Sequence, residues 1–142
     1  MIKVKFYDEV KDELLKFAVI IAKYEDKWIF CKHKQRKTLE IPGGHREEGE
    51  SILETAKREL YEETGAAEYE IEPVCVYSVT GAENTGASES FGMLYAARIK
   101  KLEPEIHSEI EKIMLLDELP QSWTYPQIQP KLIEEAQRRR AI

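Results

Sequence analysis

The amino-acid sequence predicts an α/β protein with a mixed β-sheet and helices on its faces. Strand-like segments rich in branched and aromatic residues dominate the chain, one amphipathic helix lies near its centre, and a second helix closes it. No repeat or low-complexity linker interrupts the 142 residues, so we expect a single domain over residues 1–142.

The strands are predicted from apolar runs bounded by turn residues. Residues 15–24 and 28–31 form two strands joined by a tight turn at 25–27, and the weak alternation of residues 1–7 predicts an edge strand. The Pro-Gly-Gly sequence at 42–44 interrupts regular structure. Later strands are expected at 71–80, 91–99 and 113–116, and a closing helix at 126–139.

The central helix, over residues 51–64, has clear start and stop signals. Ser51 and Glu54 fit a capping box, in which each side chain bonds the other residue's backbone amide. Gly65 stands where a left-handed C-terminal cap is expected. The apolar stripe that would dock this helix on the sheet comprises Leu53, Ala56 and Leu60.

Composition excludes several classes of protein. The chain is 42% hydrophobic and 34% charged, as in ordinary soluble proteins, and no apolar run is long enough to span a membrane. A net charge of −6 argues against binding of nucleic-acid polymers. Cys31 and Cys75 are too few for a disulfide framework, and no signal peptide is visible, so reduced cysteines and a cytoplasmic location are expected.

Three glutamates on the central helix point to a cation. Glu59, Glu62 and Glu63 fall at i, i+3 and i+4, so they share one face within a turn. Each like-charge pair costs a few tenths of a kcal/mol, and the helix dipole disfavours anions near this C-terminus by roughly 0.3–1 kcal/mol each. A divalent cation that prefers oxygen ligands would reverse these penalties.

Further residues surround these glutamates at a regular spacing, and the full set is Gly44, Glu50, Arg58, Glu59, Leu60, Glu62, Glu63 and Gly65. This pattern resembles the Nudix box, Gly-x5-Glu-x7-Arg-Glu-U-x-Glu-Glu-x-Gly-U, where U is a bulky aliphatic residue. Ala66 at the last U is a small departure from the pattern. The Pro-Gly-Gly before the box and the Leu-Asp-Glu-Leu-Pro at 116–120 also resemble the family.

The resemblance implies a Nudix-type α/β/α sandwich around a mixed sheet and hydrolysis of a nucleoside diphosphate linked to another group. It implies that Glu59 and Glu63 are the principal metal ligands, that Glu62 binds a further metal and that the Gly43 carbonyl adds a ligand. The expected metal is Mg²⁺, with Mn²⁺ as an alternative that the same oxygen ligands suit. The resemblance also implies that Arg58 orients a glutamate, and that Glu50 supports the loop and reaches water on the metal.

Several family members take the catalytic base from a glutamate outside the box. The corresponding loop here is 105–111, and the hypothesis is that Glu109 is the base or an extra metal ligand. Glu111 is the second candidate and Glu105 the third. The alternative is an exposed acidic loop without a catalytic role.

The residues that select the substrate are predicted less sharply. The basic run at 32–37, which includes Arg36, would attract a polyphosphate, or else form a solvated turn. Phe91 and Tyr95 alternate on one strand face and suggest a base-stacking platform, with core packing as the alternative. Trp123 would wall a base pocket, or else anchor the last helix.

The short chain resembles the MutT-like branch of the family, which hydrolyses nucleoside triphosphates, including oxidised forms, to monophosphate and pyrophosphate. The alternatives are a nucleoside diphosphate sugar or dinucleotide pyrophosphatase, and a non-catalytic domain that senses a nucleotide. The partner is expected to be a small nucleotide, with no membrane and no nucleic-acid polymer, and the protein a monomer or homodimer.

Overall fold

The computed structural model describes residues 2–81, 88–104 and 110–142. A short 3₁₀ helix, Asp12–Leu14, precedes the second strand. The remaining elements are, in chain order, β1 Lys3–Tyr7, β2 Leu15–Tyr24, β3 Lys27–His33, β4 Gly43–His45, α1 Ile52–Thr64, β5 Ala66–Thr80, β6 Ser90–Leu102, β7 Ile110–Leu116 and α2 Gln129–Arg138.

The strands form one seven-stranded mixed sheet, which confirms the predicted α/β class. Six strands follow the order β1-β5-β6-β2-β3-β7, so β1 and β7 lie at its edges. Strands β2 and β6 run parallel over almost their whole length, and the other pairs are antiparallel. The predicted edge position of the first strand is therefore confirmed.

Strands β2 and β3 separate from each other soon after their hairpin. They pair only at Lys23–Trp28 and Tyr24–Lys27, next to a two-residue turn in which both residues have positive φ, as in a type I′ turn. Farther along, β2 pairs with β4, while Cys31 of β3 pairs with Glu40. The segment 40–45 thus bonds to both strands and brings Gly43 and Gly44 to the middle of the sheet.

Each face of the sheet is covered by one helix, which makes the sandwich. On one face Ala56 and Leu60 of α1, both fully buried, pack with apolar residues of β2 and β6. On the other face Leu132 and Ile133 of α2 pack with residues that include Phe30. No helix in the described part of the chain is long and apolar enough to cross a bilayer.

Two sequence expectations about packing and local structure are wrong. Leu53, predicted to dock α1, is 38% exposed, because the buried side of the helix is turned towards Ile52, Thr55 and Ala56. The glycines at 43–44, expected to interrupt regular structure, begin β4. Their lack of side chains lets this strand pass close to β2 and α1.

Candidate active site

Helix α1 positions the three glutamates because both of its ends are fixed. The Ser51 hydroxyl accepts from the Glu54 amide at 3.1 Å, and the Glu54 carboxylate accepts from the Ser51 amide at 2.8 Å, so the capping box is confirmed. Gly65 adopts φ 78°, the left-handed conformation expected of a C-terminal cap. Glu59, Glu62 and Glu63 are here called the glutamate cluster; Glu59 and Glu63 lie against β4, and Glu62 contacts Arg58.

Glu59 lies directly against the backbone of Gly44. A Cβ atom built on Gly44 would overlap the carboxylate of Glu59, so only glycine allows this contact. Gly43 is equally confined, since its Cβ would meet the Ala18 carbonyl oxygen and the Val19 side chain. The two glycines thus bring a backbone strand into contact with a carboxylate of the helix.

Glu63 is bound to the same strand. Its Oε1 accepts a hydrogen bond from the Gly43 amide at 2.8 Å, and its backbone carbonyl lies 3.8 Å from the Sγ of buried Cys31. Burial raises the pKa of Glu63 to about 8, against the lowering effect of the Gly43 amide and together with repulsion from the carboxylates of Glu59 and Glu40. Glu63 is therefore a partly buried acid held at a fixed position.

Arg58 connects the start of the site to the glutamate cluster. Its Nε lies 2.6 Å and its Nη2 3.1 Å from the two carboxylate oxygens of Glu50. Its Nη1 donates to Glu59 at 2.5 Å and to Glu62 at 3.4 Å, and Nη2 also donates to the His45 carbonyl at 3.0 Å. Nε also lies 3.2 Å from Oε1 of Glu47, so one guanidinium contacts four carboxylates and the end of β4.

Glu50 is engaged entirely by protein groups. Besides Arg58, its Oε1 accepts from the Glu47 amide at 3.0 Å and from the Thr55 hydroxyl at 2.9 Å. Arg58 first, and then these other donors, lower the pKa of Glu50 to about 2. This arrangement makes Glu50 a support for the loop and for Arg58.

The described part of the chain contains no group of three Asp, Glu, His or Cys side chains arranged closely enough to hold a metal ion. Glu59 is bonded to Arg58, and Glu63 is bonded to the Gly43 amide. Burial raises the pKa of Glu59, whereas Arg58 opposes that rise. The chemistry of the donors, carboxylate oxygens next to a backbone strand, suits a hard divalent cation.

Arg36 is paired with Glu40, which was not among the predicted site residues. Its Nη1 donates to Oε1 of Glu40 at 2.9 Å, and its guanidinium lies 6.0 Å from the ring centre of Tyr125. Glu40 is only 9% exposed, and its charge contributes to the raised pKa of Glu63. The sequence feature that could have identified Glu40 is its position directly before the Ile-Pro-Gly-Gly segment that enters the site.

The predicted aromatic platform is not formed. Tyr95 is 3% exposed and packs in the core under α1, so the expectation that it binds substrate is wrong. Phe91 is half-buried against Tyr7, with ring centres 5.6 Å apart. Trp123 packs edge-on against Phe30 at 5.3 Å, which favours the anchoring alternative.

A different aromatic pair lies next to the glycines. Phe17 and His45 are cross-strand neighbours whose rings meet edge-on at 6.0 Å, and Phe17 also contacts Tyr77 at 5.7 Å. The Phe17 ring lies over Gly92, where a Cβ would overlap it. No pattern in the sequence marked Phe17, because it belongs to an ordinary apolar strand.

The candidates for the catalytic base fall partly outside the described residues. Glu109 and Glu105 both lie outside the described residues. Glu111 is described, and its Oε1 accepts from the Lys32 Nζ at 2.9 Å. This bond and the charge of Lys32 lower the pKa of Glu111, so its carboxylate is engaged by a neighbouring cation.

Comparisons with known proteins identify the family of the chain. Residues 14–136 match the NUDIX domain family. The chain is 31% identical over 122 residues to a Bacillus subtilis protein named provisionally as the 8-oxo-dGTP diphosphatase YtkD, covering 85% of this chain and 74% of that protein.

Solved structures show the same fold. The B. subtilis pyrophosphohydrolase BsRppH superposes with a TM-score of 0.78 and 26% identity, covering 96% of this chain and 90% of that one. The NUDIX domain of Shewanella oneidensis NrtR, solved with ADP ribose, gives a TM-score of 0.67 at 20% identity over 88% of this chain and 87% of that one, a likeness of fold alone.

The fold and the site define a hydrolase of phosphoanhydride bonds in nucleotide-linked substrates. The chain belongs to the Nudix family, whose members generally use divalent metal ions.

Proposed function

We propose that this protein hydrolyses nucleoside triphosphates, including oxidised forms, to the monophosphate and pyrophosphate with Mg²⁺. The observation that carries the proposal is the set of contacts made by Arg58, which fixes Glu50, Glu59 and Glu62 beside the Gly43-Gly44 strand. The similarity to a protein named for 8-oxo-dGTP supports the choice of a triphosphate over a sugar-linked substrate.

The metal would be held by Glu59, Glu63 and the Gly43 carbonyl, with Glu62 as a ligand to a further ion. The contact between Gly44 and Glu59 and the hydrogen bond from Gly43 to Glu63 support this assignment, because they place both carboxylates against one short strand. Glu62 is 44% exposed and therefore faces the solvent side of the cluster. Mn²⁺ suits the same oxygen donors.

The reaction is a substitution at phosphorus, in which water forms a new P–O bond as the bridging P–O bond breaks. A bound divalent cation would neutralise charge on the polyphosphate and on its leaving group. Arg58 keeps the carboxylates in position, and Glu50 keeps Arg58 in position through two hydrogen bonds. The displaced group carries away the bridging oxygen: it is pyrophosphate if water attacks the α-phosphorus and the monophosphate if water attacks the β-phosphorus.

We assign the proton acceptor to Glu109, which would take a proton from the attacking water. Support comes from Glu111, the next candidate, which belongs to β7, because its carboxylate is paired with Lys32. Loss of a general base typically lowers the rate by about 10²–10⁴-fold. We expect that loss in kcat for Glu109→Gln and little change for Glu111→Gln; the reverse order would exchange the two roles.

A panel of nucleotides tests the substrate class. Canonical triphosphates, 8-oxo-dGTP, ADP ribose and dinucleoside polyphosphates would each be incubated with Mg²⁺, and the products resolved by chromatography. We expect triphosphates to give monophosphate and pyrophosphate at the highest kcat/KM. Faster turnover of ADP ribose or of a dinucleotide would overturn the assignment, and tight nucleotide binding without turnover would favour a sensing domain.

A further inference from the structure

Arg46 lies in the loop 46–51, which joins β4 to α1, and no step of the mechanism above uses it. It occupies one of the unspecified positions between Gly44 and Glu50 of the Nudix box. Its side chain is only 19% exposed. Its Nε donates to the Glu50 carbonyl at 2.8 Å, while its Nη1 and Nη2 donate to Asp12, in the segment that leads into β2. The guanidinium therefore joins the loop before α1 to the start of the sheet.

Arg46 lies on the same face of the sheet as the glutamate cluster. Its amide donates to the Lys16 carbonyl at 2.8 Å, which extends the pairing of β4 with β2 by one residue. Alternate residues of a strand point to the same face, so Arg46 points to the side of Gly44. Glu59 of α1 lies against Gly44 on that side. Arg46 and the glutamates thus share the face that α1 covers.

The acceptors at the far end of the Arg46 side chain are fixed by the fold. Nη1 donates to the Asp12 carbonyl at 2.9 Å and lies 3.3 Å from the carbonyl oxygen of Leu15, a buried residue that begins β2. Nη2 adds the exposed carboxylate of Asp12 at 2.9 Å. Because main-chain carbonyls are among the acceptors, the position of the guanidinium does not depend on one exposed carboxylate.

Glu50 is held by two arginines, one at its backbone and one at its side chain. The Glu50 carbonyl accepts from Arg46, and the Glu50 carboxylate accepts from Nε and Nη2 of Arg58. Arg58 also donates through Nη1 to Glu59. A displacement of the Glu50 backbone would therefore displace Arg58 and, through it, a proposed metal ligand.

Packing contributes little to the position of the loop 46–51. Residues 47–49 are exposed, and Gly49 has nothing within 4 Å of an ideal Cβ. The bond from the Glu50 amide to the Glu47 carbonyl, at 3.1 Å, lies within the loop and does not tie it to the sheet. The bonds of Arg46 do tie it to the sheet, so we expect them to determine where Glu50 stands.

Arg139 is a comparable arginine away from the site. Its side chain is 26% exposed, and it also joins two segments, through Glu135 at 2.8 Å and Asp8 at 3.2 Å. It stands at the C-terminal end of α2, and α2 covers the other face of the sheet. Its replacement should lower stability without displacing Glu50, which makes it the matched control for Arg46.

We propose that Arg46 is a positioning residue of the active site, which fixes the backbone of Glu50 and through it Arg58 and Glu59. The inference rests on the proposed metal site and deepens it, because it names a residue at an unspecified position of the Nudix box on which the glutamate cluster depends. Arg46 acts through Glu50 and does not contact the substrate. Its replacement should therefore change metal binding and kcat and leave KM for the nucleotide unchanged.

Arg46→Met removes these hydrogen bonds and keeps an unbranched side chain. With GTP and saturating Mg²⁺ we expect kcat to fall about tenfold, the lower end of the range for groups that orient metal ligands, and KM to stay within twofold. Without nucleotide, we expect the Kd for Mn²⁺, measured by electron paramagnetic resonance, to rise at least threefold. Arg139→Met should leave all three values within twofold of wild type. Unchanged values for Arg46→Met, a rise in KM alone, or equal losses in both variants would overturn the proposal.

Arg46→Lys keeps the test decisive if thermal melting shows that Arg46→Met is unfolded at the assay temperature. Lysine keeps the charge, but one ammonium lacks the planar fork of donors that reaches Glu50 and Asp12 together. We expect kcat to fall at least threefold for this variant, with KM within twofold. Full activity of Arg46→Lys would show that the charge, and not the geometry, of Arg46 matters.

A double-mutant cycle tests whether Arg46 acts through Glu50. Glu50→Gln weakens the bond to Arg58, so a shift of the Glu50 backbone then has less effect on the glutamate cluster. We expect Arg46→Met to lower kcat less than threefold in the Glu50→Gln background, against about tenfold in wild type. Effects that multiply, as for independent residues, would contradict the route through Glu50.

Mn²⁺ binding separates this proposal from the proposed function. If wild-type protein turns over no triphosphate but binds Mn²⁺ in a manner that Arg46→Met weakens, the substrate is wrong and the role of Arg46 stands. If wild-type protein turns over GTP while Arg46→Met is unchanged in kcat and in its Kd for Mn²⁺, the role of Arg46 is wrong and the function stands. A wild-type protein that binds no Mn²⁺ would overturn both.

Discussion

Arg58 holds the Glu50 carboxylate with two nitrogens, Nε at 2.6 Å from Oε2 and Nη2 at 3.1 Å from Oε1. The same guanidinium reaches Glu59 through its remaining nitrogen, Nη1. The pair therefore transmits the position of the loop before α1 to a proposed metal ligand. A planar group with several fixed donors is required, because a single ammonium cannot make these contacts together.

Replacement of Arg58 by lysine should preserve the charge and lose the geometry. For Arg58→Lys we expect kcat/KM to fall about 10–100-fold, the range for residues that orient metal ligands. Arg98→Lys is the control, since Arg98 forms an exposed ion pair with Glu70 away from the site. Steady-state kinetics with a triphosphate measure kcat/KM for both variants. Activity of Arg58→Lys within twofold of wild type would contradict the orienting role.

Gly44→Ala tests the contact between β4 and α1. The new Cβ would overlap the Glu59 carboxylate, which must then move, and a shift of about 1 Å in a reacting site can cost up to about 10²-fold in rate. We expect a loss of tenfold or more in kcat/KM. We also expect a weaker affinity for Mg²⁺, seen as a higher Mg²⁺ concentration at half-maximal activity.

Gly49→Ala provides the contrast for Gly44→Ala. Gly49 has φ 84° and nothing within 4 Å of its would-be Cβ, so alanine there adds backbone strain and no overlap. Lower thermal stability with retained kcat/KM is expected for Gly49→Ala. Equal losses of activity in both variants would show that strain in the loop, and not contact with Glu59, explains the effect.

The docking of α1 predicts unequal effects from two leucines of one helix. Leu60 is fully buried, so Leu60→Ala should lower the free energy of unfolding by about 2–5 kcal/mol. Leu53 is 38% exposed, and Leu53→Ala should cost less than about 1 kcal/mol. Urea unfolding followed by circular dichroism measures both. A loss for Leu53→Ala as large as that for Leu60→Ala would contradict the observed packing.

Acid should weaken α2 through Glu135. Arg138 and then Arg139 hold the pKa of Glu135 at about 2, below its ordinary value of 4.5. A carboxylate with a lowered folded-state pKa contributes stability above its unfolded pKa, and that contribution is lost as the pH falls from about 4.5 to about 2.

The Glu135→Gln variant checks this contribution, because it cannot titrate. We expect the melting temperature of wild type to exceed that of Glu135→Gln at pH 6 and the gap to narrow between pH 4.5 and 2. A gap that stays constant over this range would show that Glu135 stabilises the fold by packing alone.

Most of the fold could be predicted because its signals are local. The residues of β2 alternate or cluster as apolar runs, and the caps of α1 at Ser51 and Gly65 depend on residues a few positions apart. Strand β4 was missed because its first two residues are glycines and its pairing is with β2, more than 20 residues earlier. Nothing local distinguishes such glycines from those of a loop.

The site could be predicted as a set of residue types and not as a set of contacts. The spacing of Glu59 and Glu63 places them on one face of a helix, and the structure adds that Gly44 and Gly43 contact them from another element. The wrong expectations for Leu53 and Tyr95 have a similar cause, because they concern burial and not residue type. Their burial depends on how helix and sheet are rotated against each other, which the periodicity of one segment does not specify.

The central claim is that Glu59 and Glu63 hold the divalent cation that the enzyme uses on a triphosphate. Pyrophosphate release from GTP, measured over a titration with Mg²⁺ for wild type, Glu63→Gln and the control Glu54→Gln, tests it most directly. We predict saturable Mg²⁺ dependence for wild type and the control, and a loss of at least about 10²-fold for Glu63→Gln. Mg²⁺-independent release by wild type, or full activity of Glu63→Gln, would contradict the claim.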